Sequence, residues 1–178
     1  MDVFLFMWLS IVLIVAGIQD LRFQKIPNLL TYPTMGIGIA CHSFTTGLEG
    51  LFFAAGGLAV GIALLILPYI MGGMGAGDAK LLGAAGAILG PKGVFTSFLF
   101  SAVIGGVYAL ALLIHSRRFS KGFVERHVTT LKTFVFTGQF ISIPSQDENK
   151  PKLCYGLPIA IGTLLYIAMK LSGFNPIM

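Results

Sequence analysis

The residues LFFAAGGLAVGIALLILPYIM (51–71) decide the fold class of this chain, because they form a long apolar run without a charged side chain. A helix rises about 1.5 Å per residue, so roughly 20 such residues cross a hydrocarbon core about 30 Å thick. Lipid offers no hydrogen-bond partners, so a helix, which satisfies its own backbone groups, is favoured. The run therefore predicts a transmembrane α-helix.

The composition extends this prediction to the whole chain. Hydrophobic residues make up 56% and charged residues 11%, with a mean hydropathy of +0.87, whereas soluble domains carry about 25% charged residues. A length of 178 residues suits one domain, so we predict a single transmembrane domain over residues 1–178. The two cysteines, Cys41 and Cys154, form no CxxC pair, so we expect neither a metal nor another cofactor.

Six apolar segments follow one another along the chain. The fourth is the shortest, because Pro91, Lys92 and Gly93 are predicted to end it. We predict an all-α integral membrane protein, a polytopic bundle of about six transmembrane helices. Their predicted bounds are Val3–Ile18, Leu29–Thr46, Leu51–Met71, Asp78–Leu89, Val94–Ile114 and Leu153–Leu171.

The basic residues predict the orientation. With the N-terminus outside, ten of the twelve lysines and arginines lie on the inner side and only Lys92 and Lys170 lie outside. Cytoplasmic loops carry the excess of Lys and Arg in membrane proteins, which explains the net charge of +5 without a nucleic-acid partner. We therefore expect a multi-pass protein of the cytoplasmic (inner) membrane.

A basic loop of about residues 115–152 is predicted between the fifth and sixth helices, on the cytoplasmic side. Its stretch 123–141 mixes basic and apolar residues, which is typical of an amphipathic helix lying on anionic lipid. A solvated connector without a function explains the same residues equally well. The sequence indicates no oligomeric state.

Two acidic residues, Asp20 and Asp78, lie at the predicted inner ends of apolar segments. The two segments between them carry the chain out and back, so both carboxyl groups face the same side. Carboxylates at membrane depth are costly and usually mark a functional site. Two in contact share one proton, so one could take a proton from water while the other polarises a carbonyl, as in aspartic proteases.

Each aspartate could instead have a local structural role. Asp78 could cap the fourth helix, and Asp20 could pair with Arg22. The pair could also carry protons or cations in a small transporter or channel component. If the two act together, Asp20 should hold the shared proton, because it lies at a helix C-terminus, where the dipole disfavours an anion.

Two sequence motifs contain these aspartates. The stretch GAGDAKLL (75–82) matches a GxGDxK pattern, QDLRFQKIPNLLT (19–31) places Ile-Pro-Asn after the first aspartate, and YGLPIAIG (155–162) is a weaker match. Together they resemble the type IV prepilin peptidases, a family of GxGD membrane aspartic proteases. The resemblance implies an endopeptidase that removes the leader of prepilins or pilin-like proteins at the cytoplasmic membrane face.

By motif position, the resemblance implies that Asp20 and Asp78 are the catalytic pair. Gly75 and Gly77 would shape the loop beside Asp78, where glycine lets a substrate backbone come close. The remaining motif residues would support the site or bind substrate; they are Lys80, Arg22, Pro27 and Asn28.

The sequence departs from the larger family members, which carry an additional cytoplasmic region, often with two CxxC pairs, and also methylate the new pilin N-terminus. Here about nine residues separate the first two segments and CxxC is missing. We therefore expect a peptidase without the methyltransferase region, similar to the minimal enzymes of tight-adherence (Flp) pilus systems. Archaeal preflagellin and prepilin peptidases share the motifs and remain an alternative.

Overall fold

A computed structural model describes residues 2–70, 73–115 and 154–173 of the chain. These residues form an all-helical structure, as predicted. The five helices are α1 (Asp2–Phe23), α2 (Asn28–Thr46), α3 (Leu48–Ile70), α4 (Ala76–His115) and α5 (Gly156–Leu171). The predicted basic loop beyond residue 115 and its amphipathic stretch 123–141 lie outside the described residues.

Three of the helices are long and apolar enough to cross a membrane. The candidate spans are Val3–Phe23, Leu48–Ile70 and Ala76–Ala111, and the 16-residue α5 is apolar but shorter. These helices support a membrane protein, while the number of six spans and the orientation stay predictions. α1 continues five residues beyond its predicted end at Ile18, so Asp20 lies within a helix and only four residues, 24–27, link α1 to α2.

Helix α4 is interrupted at Gly90, whose φ of 74° and ψ of 177° are not helical. A side chain there would collide with the Phe53 ring, and a positive φ of this kind favours glycine. Pro91 then opens the next helical stretch, a position where its missing N–H is harmless. Two helical parts result, here named α4a (76–89) and α4b (91–115), and they correspond to the fourth and fifth predicted segments.

The side-chain neighbours show that the chain reverses at this interruption. Gly93, early in α4b, lies beside Tyr166 near the end of α5, whereas Gly105 lies beside Pro158 near its start. Since α4b and α5 are thus antiparallel, α4b returns toward the end of the bundle where α4a begins. That end contains both aspartates and is named the dyad end below.

Close contact between α3 and α4a fixes where α4a begins. A Cβ atom at either Gly57 or Gly86 would collide with the carbonyl of the other residue, and one at Gly61 would lie 2.6 Å from the Leu82 carbonyl oxygen. Small residues allow helix backbones to approach this closely in membrane proteins. Because these contacts join backbone atoms, α4a and Asp78 can shift relative to α3 only if the backbone of one helix moves.

The far end of the bundle contains a separate pocket of about 340 Å³, lined by residues that include Phe6, Glu49 and Lys170. There His42 Nε2 lies 3.1 Å from the Ile88 carbonyl oxygen. Because Gly90 is not helical and Pro91 has no N–H, carbonyl groups near the interruption lose their helical donors. His42 satisfies one of them when Nε2 carries the proton.

Candidate active site

Asp78 is held in place by the first turn of α4a. It is the third residue of the helix and only 7% exposed. The N–H of Gly75, directly before the helix, donates to Asp78 Oδ2 (3.1 Å), and the Asp78 N–H donates to the Gly75 carbonyl oxygen (3.1 Å). The carboxylate thus forms one half of a capping box, whereas the other half is a backbone turn, because Gly75 has no side chain. Asp78 therefore has the local capping role considered above, but it caps the helix from the third helical position. It also lies at the dyad end.

Asp20 lies near the end of α1 and is 5% exposed. The N–H groups of Gly156 and Leu157, at the start of α5, act on its carboxylate, yet Oδ2 has no hydrogen-bond partner within the part of the chain that the structure describes. A buried carboxylate oxygen of this kind calls for a further partner, such as water or a ligand. The alternative pairing with Arg22 is not seen among the described residues.

Both aspartates therefore lie against a helix N-terminus. The helix dipole and the free N–H groups at such a position favour an anion. The prediction that Asp20 holds the shared proton assumed that only Asp78 has this environment. The start of α5 removes that asymmetry, so the dipole argument no longer distinguishes the two.

Ile26, in the link between α1 and α2, lies between the two aspartate-bearing segments. A Cβ atom at Gly77 would lie 3.1 Å from Ile26 Cβ, and one at Gly156 would lie 2.9 Å from both Ile26 Cδ1 and Asp20 Oδ2. The charges of the two aspartates also act on one another. Gly77 thus has a contact role beside Asp78, where the sequence predicted a loop-shaping one.

Cys154 and Tyr155, which directly precede α5, complete the surroundings of the pair. The charges of Asp20 and Asp78 both act on the Cys154 thiol. The charge of Asp78 also acts on the Tyr155 phenol. One thiol is therefore close enough to sense both carboxylates, which indicates that they share one small region.

Lys80 connects the two motifs. Its Nζ donates to Asn28 Oδ1 (2.9 Å) and lies 5.1 Å from the centre of the Tyr32 ring. The GxGDxK motif thereby binds the start of α2, which lies inside the other motif, the stretch 19–31. The resemblance implied that Lys80 supports the site or binds substrate, and this contact gives it a structural role: it ties α4a to α2.

The other two predicted supporting residues have different environments. Pro27 precedes α2 in an extended conformation (φ −69°, ψ 138°), and its carbonyl oxygen accepts from the Leu30 N–H (3.1 Å). Arg22 lies exposed in the last turn of α1 and makes no hydrogen bond or ion pair within the described residues. The structure therefore places Gly75 and Gly77 beside Asp78 and leaves Arg22 exposed. The other three supporting residues meet at the start of α2; they are Lys80, Pro27 and Asn28.

Sequence reasoning missed Gly156, Ile26 and Tyr155. The sequence did contain a signal for each of them: Tyr155 and Gly156 lie in the weaker motif match at 155–162, and Ile26 is the isoleucine of Ile-Pro-Asn. Gly156 and Ile26 contain no group that can transfer a proton, and the Tyr155 phenol lies in a stretch without an acidic residue, so chemistry alone did not select them. The importance of Gly156 is steric, because a Cβ atom there would lie 2.9 Å from Asp20 Oδ2.

A sequence model of the type IV leader peptidase family matches residues 7–110, more than half of the chain. The chain belongs to this family. Both Asp20 and Asp78 lie within the matched residues, as do all of the supporting residues predicted from the motifs.

Two curated relatives carry the name prepilin leader peptidase/N-methyltransferase. The protein of Bacillus subtilis is 31% identical over 108 residues, which cover 59% of this chain and 43% of that protein. The protein of Xanthomonas campestris pv. campestris is 34% identical over 110 residues, covering 56% of this chain and 37% of that protein. The matched region is thus less than half the length of either relative. No solved structure matches the chain significantly.

Proposed function

We propose that this chain is a membrane-embedded aspartic endopeptidase that removes the leader peptide of prepilins or pilin-like proteins. The observation that carries the proposal is the pair of buried carboxylates at one end of the bundle. Asp20 and Asp78 come from different helices, each lies against a helix start, and an oxygen of Asp20 lacks a partner among the described residues. The names of the two relatives support the same activity.

The chemistry needs one ionised and one protonated carboxyl group. The ionised member takes a proton from water while the protonated member donates a hydrogen bond to the scissile carbonyl oxygen. The water oxygen attacks the carbonyl carbon and forms a tetrahedral intermediate. Its collapse breaks the C–N bond, and the proton passes to the leaving amine. Asp20 and Asp78 suffice for each of these proton transfers.

The proposed location follows from the basic residues. With ten of twelve on one side, the dyad end faces the cytoplasm. A substrate would keep its basic leader there and its hydrophobic segment in the membrane, while the enzyme's own basic loop would contact anionic lipid. We propose peptidase activity without methylation, because the α1–α2 link has only four residues.

The test is co-expression with a candidate prepilin, followed by the size of the product. The unchanged chain should shorten the prepilin, whereas Asp20→Asn and Asp78→Asn should each lower the cleavage rate by about 10²–10⁴-fold, the usual contribution of general acid–base catalysis. Glu49→Gln is the matched control, because Glu49 lies in the far-end pocket, and it should cleave normally. Cleavage by both aspartate variants would refute the proposal, and a transporter would produce no shortened product at all.

A further inference from the structure

An apolar cleft opens beside the aspartate pair, between α3, α4b and α5. Its volume is about 330 Å³, and its lining residues include Leu65, Phe98, Ala102, Gly106 and Ile159. No charged residue lines it within the described part of the chain. Its size is at the lower end of the range for ligand pockets, which is about 300–1,000 Å³.

Two walls of the cleft continue directly into the aspartate pair. Gly73 and Met74 line it, and the next residue, Gly75, donates to Asp78. On the opposite side Tyr155 lines it and precedes Gly156, whose N–H acts on Asp20. The charge of Asp78 also reaches the Tyr155 phenol. The cleft and the carboxylate pair are therefore joined by two short stretches of chain, 73–75 and 155–156, which places them next to one another.

The cleft also opens sideways on the surface of the bundle. Ala102 and Gly106 belong to its lining and are exposed. On the same helix Val103 is 67%, Val107 65% and Leu110 58% exposed. An apolar surface of this kind suits lipid and not water. A hydrophobic segment could therefore reach the cleft from within the membrane.

We propose that this cleft receives the first apolar side chains that follow the scissile bond of the substrate. The inference rests on the proposed peptidase function and assigns it a specificity site. An apolar cavity of about 150 Å³ holds a benzene ring, so the cleft has room for roughly two large side chains and not for a whole helix. A basic leader is excluded from it, because burying a charge without a partner is costly.

Gly106→Leu tests the assignment. Gly106 lines the cleft and a Cβ atom there meets nothing within 4 Å, so the fold accommodates a leucine in the wall of the cleft. Gly36→Leu is the matched control, because Gly36 is also exposed, also has nothing within 4 Å of its Cβ position, and does not line the cleft. We expect Gly106→Leu to cleave a prepilin at least about 10-fold more slowly, the usual effect of a misfit in a hydrophobic pocket, and Gly36→Leu to cleave normally.

A second substrate separates blocking from misfolding. In it, alanine replaces the first two apolar residues after the scissile bond. The unchanged chain should cleave this substrate more slowly than the original one, whereas Gly106→Leu should cleave it about as fast as the unchanged chain does. Equal rates of Gly106→Leu and unchanged chain on the original prepilin would overturn the inference, as would an equally large defect on both substrates. If the unchanged chain cleaves neither substrate, the proposed function itself fails.

Discussion

Gly156→Ala is the substitution that most directly tests the geometry of the aspartate pair. The added methyl would lie 2.9 Å from Asp20 Oδ2 and 2.9 Å from Ile26 Cδ1. Carbon atoms in comfortable contact are about 3.5–4.0 Å apart, so the carboxylate, the isoleucine or both must move by about 0.5–1 Å. Catalytic groups tolerate roughly 0.5 Å of misplacement, and a shift of about 1 Å can cost 10²-fold in rate.

We therefore expect Gly156→Ala to lower kcat/KM for prepilin cleavage by about 10–100-fold. Loss of the fold is not the expected cause, because the clash involves only the side chains of Asp20 and Ile26 and no backbone atom. Thermal unfolding in detergent should confirm this, with the melting temperature of the variant close to that of the unchanged chain. The rate would be measured with purified protein and a prepilin in the same detergent.

Gly17→Ala is the matched control. Gly17 lies one turn before Asp20 and faces the same helix, but its added methyl would lie 3.5 Å from Ala160 Cβ and 3.6 Å from Leu157 Cδ1, which is ordinary contact. This variant should cleave normally. Combining Gly156→Ala with Ile26→Val, which removes the Cδ1 atom, should restore part of the lost rate. If Gly156→Ala cleaves as fast as Gly17→Ala, the steric reasoning about Asp20 is wrong.

Two further predictions concern contacts that hold the bundle together. A double-mutant cycle of Lys80→Met and Asn28→Ala should show a coupling of about 1 kcal/mol in the free energy of unfolding. This value is smaller than that of a buried hydrogen bond to a charged group, because the contact is exposed. Strictly additive effects of the two substitutions would show that the contact contributes nothing. His42→Leu leaves the Ile88 carbonyl without its donor and should lower the free energy of unfolding by about 1–3 kcal/mol. His42→Gln should recover part of this, and a large loss of kcat/KM in stable His42→Leu would contradict the separation of the two ends.

The sequence alone predicted the all-helical class, which the structure confirms, and it singled out Asp20 and Asp78. Long apolar runs force helices in lipid, whatever their neighbours are, and acidic residues are rare enough in such a chain for Asp20 and Asp78 to stand out. Chain parity placed them on one side, because a helix that crosses the bundle must return. Helix ends were less certain, as the continuation of α1 to Phe23 shows, since caps and local turns decide them.

Only the tertiary structure decided what surrounds the pair. The start of α5 lies about 135 residues beyond Asp20 in the chain, so no local pattern could predict that its N–H groups act on that carboxylate. The contact of Lys80 with Asn28 joins residues 52 positions apart, and the need for glycine at position 156 depends on Ile26 and Asp20 together. Sequence patterns report the periodicity and cost of burial of each segment, whereas these contacts depend on how segments distant in the chain pack against one another.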